Sequence, residues 1–147
     1  MGDKPRPLDA DLDQIPCGPP INSPACLHSL SVIISAPMKQ FVIDELRPGD
    51  HEKLKTYLDY TFGAGALDGL YWLQIAKDVF SDIQSEHKQC QPFYFAIDLG
   101  SDRVVVELLV RTKSRIRCAC MAYATETQCT WLMRRMDAIF SELGITV

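Results

Sequence analysis

The stretch from Gln91 to Tyr123 constrains the fold of this chain more than any other. It reads QPFYFAIDLGSDRVVVELLVRTKSRIRCACMAY, three β-rich runs separated by polar turns. Alternation along such runs assigns side chains to opposite faces of a sheet. If Gly100-Ser101 forms a two-residue hairpin turn, Ile97 faces Val104, Phe95 faces Val106 and Phe93 faces Leu108. If Lys113 centres the next turn, Val104 faces Ala122, Val106 faces Cys120 and Leu108 faces Cys118.

That register yields one apolar face: Phe93, Phe95, Ile97, Val104, Val106, Leu108, Val110, Ile116, Cys118, Cys120 and Ala122. Such a face needs a cover of helices. The opposite face carries Tyr94, Ala96, Asp98, Val105, Glu107, Leu109, Arg111, Arg115, Arg117, Ala119 and Met121. Within it, Tyr94, Val105, Leu109 and Met121 form an apolar patch rimmed by charge, a candidate contact surface for a protein partner, a second copy or the N-terminal segment.

The flanking sequence supplies the cover. Gln40 to Leu46 reads as a strand, stopped by Arg47-Pro48-Gly49. Asp50 is a candidate N-cap for a helix to Phe62, with Leu54, Tyr57, Leu58, Thr61 and Phe62 on one face. Gly63-Ala64-Gly65 follows this helix and reads as a cap, not as a phosphate loop. Leu70 to Ile75 is a second strand whose low polarity suits the sheet interior, so Tyr71 and Trp72 are assigned to the core. Ser81 with Gln84 and Thr125 with Gln128 both fit capping boxes. They open helices over Ser81–Gln89 and from Thr125 to a stop at Gly144. Ile145-Thr146-Val147 could add an edge strand. The expected fold is α+β, in the order β-α-β-α-β-β-β-α, with helices packed on one face of a mainly antiparallel sheet.

Residues 1–37 differ in kind, holding seven of the nine prolines. They are expected to be largely irregular, with Leu27–Ile34 apolar enough to form a short strand or to dock. Asp3, Asp9, Asp11 and Asp13 outnumber Lys4 and Arg6 ahead of that run, the wrong sign for a secretory leader. Met38 is a second candidate start, which would make 1–37 an upstream extension of a single domain over 38–147. No apolar run approaches the ~20 residues of a membrane span, so a cytoplasmic location is expected.

Six cysteines in such a chain suggest thiols or metal ligands before disulfides. His87-x-x-Cys90 ends the second helix, where Ile83, His87 and Cys90 share a face, and Cys118-x-Cys120 offers two thiols on one strand face. Residues two apart on a strand lie roughly 6.5–7 Å apart, and two such sulfurs can converge on one zinc ion at about 2.3 Å each. His87, Cys90, Cys118 and Cys120 would form a closed Cys3His set, structural in kind. The competing reading makes Cys118 and Cys120 small core residues, and a third gives them thiol redox work. What separates metal from core is whether His87 and Cys90 reach Cys118. Cys129 on the last helix reads as core.

Arg111, Lys113, Arg115 and Arg117 recur at spacing two, a candidate anion-binding row or a solvated strand end. A net charge of −4 argues against a bulk nucleic-acid binder. No Ser/His/Asp set and no carboxylate pair suggests catalysis. Two functions follow: a non-enzymatic interaction or regulatory domain, self-associating through its outer sheet face, or a small protein holding one structural zinc ion.

Overall fold

The computed structural model describes residues 38–147, and the expectations for 1–37 lie outside the described residues. Among the described residues five strands and three α-helices follow in the expected order: β1 (Gln40–Ile43), α1 (Pro48–Phe62), β2 (Leu70–Gln74), α2 (Asp82–Glu86), β3 (Phe93–Leu99), β4 (Val104–Glu107), β5 (Arg111–Thr112) and α3 (Glu126–Leu143). Short 3-10 turns at Lys77–Val79 and Lys88–Cys90 flank α2. The sheet is antiparallel in the order β1-β4-β3-β2, with β5 also pairing β3.

The hairpin between β3 and β4 is two residues out of the expected register. Ile97 faces Val106 and Leu99 faces Val104, because Gly100 closes a four-residue loop by donating to the Arg103 carbonyl at 2.9 Å. A slip of two preserves faces where a slip of one would exchange them. Phe93, Phe95, Ile97, Val104, Val106 and Val110 are therefore all buried on the helix-covered side. They pack with Leu54 and Leu58 of α1 and with Leu132, Met136, Ile139 and Phe140 of α3.

The third run does not form the expected strand. β1 occupies the second edge of β4, pairing Phe41 with Val106 and Ile43 with Val104. Arg111 and Thr112 turn back onto Tyr94 and Phe93 of β3. Residues beyond Thr112 thus meet a β4 already paired on both edges, and the pairings of Leu108 with Cys118, Val106 with Cys120 and Val104 with Ala122 are not formed. What remains is an isolated bridge between Leu109 and Tyr123, with the Ala124 amide donating to the Leu108 carbonyl at 2.8 Å. Ile116, assigned to the apolar face, is 95% exposed in the resulting loop.

The helix boundaries follow their caps. α1 begins at Pro48, two residues before Asp50, with Arg47 as a cap that makes no side-chain bond. Proline suits the first helical position, where its missing N–H is an orphan in any case. α2 is shorter than expected. Its capping box between Ser81 and Gln84 is present, but helical geometry ends at His87. α3 has its box between Thr125 and Gln128 and ends at Gly144, in left-handed conformation. The Ile145 amide reaches back to the Phe140 carbonyl at 2.9 Å and Gly144 to Ser141 at 3.2 Å. These are the two bonds of a Schellman motif. They tuck Ile145 into the core in place of the expected edge strand.

Candidate metal centre

The cluster forms where the α2 end meets the loop after β5. At His87 the chain leaves the α-helix, and a 3-10 turn closes with the Cys90 amide donating to the His87 carbonyl at 2.9 Å. His87 and Cys90 therefore reach the site around a turn, not along the helical face expected with Ile83, which is 38% exposed. Opposite them, Cys118 and Cys120 flank a tight turn in which the Met121 amide donates to the Cys118 carbonyl at 3.0 Å. The two cysteines are not strand residues. Their expected partner, β4, is already paired with β1 on one side and β3 on the other.

The turn brings all four candidate ligands together. His87 Nδ1 lies 3.1 Å from Cys118 Sγ, and Cys90 Sγ lies 3.8 Å from it. The ligand atoms of His87, Cys90, Cys118 and Cys120 are all within 4.8 Å of one another. Sulfurs bound to one tetrahedral zinc at about 2.3 Å sit roughly 3.8 Å apart. The cluster is thus close to the edge lengths of a Cys3His site, and Cys90 and Cys120 are sealed from solvent.

The electrostatics favour a thiolate here. Cys118 is lowered to about 6, first by the Cys120 backbone amide directed at its sulfur, then by the Cys120, His87 and Cys90 side chains. Burial pushes Cys120 the other way, and the neighbouring Cys118 and Cys90 sulfurs reinforce the rise. The two thiols share a turn and are shifted in opposite directions.

A shell of polar side chains holds the ligand-bearing segments. Gln84 Nε2 donates to the Cys120 carbonyl at 3.3 Å, and Gln84 Oε1 accepts from Gln128 Nε2 at 2.7 Å. Gln91 Nε2 donates to the Gln84 carbonyl at 3.1 Å, and the Thr112 hydroxyl donates to the Cys90 carbonyl. Gln84 and Gln128 are buried with partners for every polar side-chain atom. Sequence reasoning found both glutamines as capping residues and missed that they meet. A capping box is a local pattern; contact between two boxes is not.

The other candidate groups disperse. Arg111 forms a two-pronged pair with Glu107, Nε to Oε2 and Nη2 to Oε1 both at 2.8 Å. Lys113 Nζ sits 4.5 Å above the Tyr94 ring and 5.8 Å from that of Trp72. Arg115 and Arg117 are exposed and take part in no ion pair among the described residues. The basic row does not converge on one anion position.

Of the expected contact patch, Tyr94 and Val105 are half-buried on the outer face, and Leu109 is half-buried where it bridges Tyr123. Met121 packs against the core and leaves the patch. Trp72, assigned to the core, is instead half-buried opposite Tyr71 and Leu73, edge-on to Tyr94 with centroids 6.2 Å apart. Period-two alternation against those two buried neighbours was the signal for it.

Comparison with known proteins adds no relative: no family model, no curated protein and no solved structure matches the chain.

Proposed function

We propose that this domain is a small zinc-binding module in which His87, Cys90, Cys118 and Cys120 hold one structural zinc ion. The observation that carries the reading is the convergence of the four ligand atoms within 4.8 Å. Three thiols and an imidazole are a donor set suited to zinc, and a fourth protein ligand leaves no open position for catalysis. The hydrogen bonds to the Cys120 and Cys90 carbonyls are backbone supports of the kind that orient ligands. Such a centre ties the α2 end to the long loop after β5, which has little pairing of its own. Reduced thiols of this kind suit the cytoplasm. Among the described residues no helix is long and apolar enough to cross a membrane.

Metal analysis of the full chain purified without a histidine tag tests the reading. About one zinc per chain, lost in Cys118→Ser/Cys120→Ser, is expected. A folded wild-type chain that takes up no zinc or cobalt would sink it.

A second reading is compatible and concerns partners. The helices cover one sheet face, and the other presents Trp72, Tyr94 and Val105 with the exposed Val42. Together with Leu109 these make a contact surface for a protein partner or a second copy. A light-scattering mass of one chain at high concentration would remove self-association, and Val105→Glu should dissolve any dimer.

A further inference from the structure

The three sulfurs of the cluster are unequal in access. Cys90 and Cys120 are fully buried, whereas Cys118 is only partly buried. A reagent arriving from solvent meets Cys118 first, and Cys90 Sγ stands 3.8 Å behind it. A disulfide of ~2.05 Å then needs the sulfurs to approach by roughly 1.7 Å more.

The two backbones differ in how they are held. Cys90 ends a 3-10 turn whose carbonyl is bound by Thr112, and its sulfur is sealed in the core. Cys118 ends a stretch from Lys113 that makes no strand pairing, and the anchor from Gln84 comes only after it, at the Cys120 carbonyl. That stretch can supply the movement while Cys90 stays in place. Cys120 is a poorer partner for Cys118, since both flank one tight turn whose geometry a bridge would strain.

Resting on the zinc reading above, we infer that the centre is a peroxide-sensitive site in which oxidation joins Cys118 to Cys90 and discharges the metal. The Cys118 thiolate attacks one oxygen of a hydroperoxide; the O–O bond breaks, and Cys118 becomes a sulfenic acid as hydroxide leaves. The Cys90 sulfur then attacks the Cys118 sulfur, the S–O bond breaks and an S–S bond forms. The departing hydroxide and the first one take up protons, so hydrogen peroxide ends as two waters. The two electrons come from the two thiolates. Sulfurs joined in a disulfide no longer offer thiolate ligands, leaving His87 and Cys120 too few to keep the ion. A cellular dithiol restores both thiols by exchange.

The test treats the zinc-loaded full chain with hydrogen peroxide beside a chromogenic zinc chelator, then blocks thiols and digests with trypsin. Cleavage after Lys88 and Arg103 isolates Cys90 in the peptide 89–103; cleavage after Arg117 and Arg134 places Cys118, Cys120 and Cys129 in 118–134. Expected are zinc release, a bridge between these peptides that fragmentation assigns to Cys118, and renewed zinc binding after dithiothreitol. Cys129→Ser should behave as wild type, and Cys90→Ser should lose the bridge. Zinc retained under excess peroxide, or a bridge mapped to Cys120 or Cys129, overturns the inference. A chain that binds no zinc removes the metal reading, while peptide mapping of that metal-free chain still reads the Cys90–Cys118 bridge by itself.

Discussion

Gln128 Nε2, from the first turn of α3, donates to Gln84 Oε1, from the first turn of α2, at 2.7 Å in the protein interior. Each glutamine also caps its own helix: Gln84 Oε1 accepts from Ser81 N at 3.0 Å, and Gln128 Oε1 from Thr125 N at 3.1 Å. Because Gln84 Nε2 goes on to the Cys120 carbonyl, two helix starts and the cysteine turn form one connected unit. Buried networks of this kind are stabilising when complete and costly when broken.

Breaking the network should therefore weaken both fold and site. Gln84→Leu strands Gln128 Nε2 and the Cys120 carbonyl, at about 1–3 kcal/mol for a buried group left without its partner. Urea denaturation of the zinc-free protein should show that loss. Competition with a chromogenic chelator should show zinc binding weakened roughly 10–100-fold, the range for supports of metal ligands. Unchanged zinc affinity in a destabilised Gln84→Leu protein would confine Gln84 to helix capping.

Zinc should stabilise the fold by mass action. With free zinc about 1,000-fold above its dissociation constant, the gain is about 4 kcal/mol. Differential scanning calorimetry should find the transition raised with zinc and lowered again by a chelator. A Cys120→Ala variant should lose most of that response.

The thiols should differ in reactivity. In metal-free protein, Cys118 should alkylate with iodoacetamide along a titration centred at about 6, while Cys120, buried and raised, should stay unlabelled at neutral pH. Zinc should slow the labelling of Cys118 without abolishing it. Mass spectrometry of the labelled peptides checks both statements, and equal labelling of the two cysteines would contradict the charge assignment.

A separate prediction concerns the contact between α1 and β2. The Tyr71 hydroxyl donates to Asp59 Oδ1 at 2.7 Å and is the main cause that holds this carboxyl below its ordinary 3.8, with Lys55 adding to it. A lowered carboxyl contributes stability that is fully present above the unfolded-state value and is lost as pH falls through the folded one. Tyr71→Phe should lower the Tm at pH 7, and the gap from wild type should narrow as pH drops below 3.8. A gap constant down to pH 2 would assign the cost to packing alone.

The inner sheet face could be read from the sequence because alternation survives a two-residue slip, as at Phe95 and Val106. The capping boxes at Ser81 and Thr125 were likewise readable, since they depend on residues three apart. Strand pairing was not. Nothing local to Val104–Glu107 says that Gln40–Ile43 would claim its free edge, and that non-local choice left Cys118 and Cys120 to form a turn. The four candidate ligands were identified from residue type and spacing, although the backbone that brings them together differs from the hairpin first inferred. The Gln84–Gln128 contact joins two distant segments, and no spacing rule encodes it.

X-ray absorption at the zinc edge of the full chain tests the central claim most directly. One zinc per chain with three sulfurs at about 2.3 Å and one nitrogen at about 2.0–2.1 Å is the predicted shell. A folded chain without zinc, or zinc bound by oxygen and nitrogen alone, would contradict the assignment of His87, Cys90, Cys118 and Cys120.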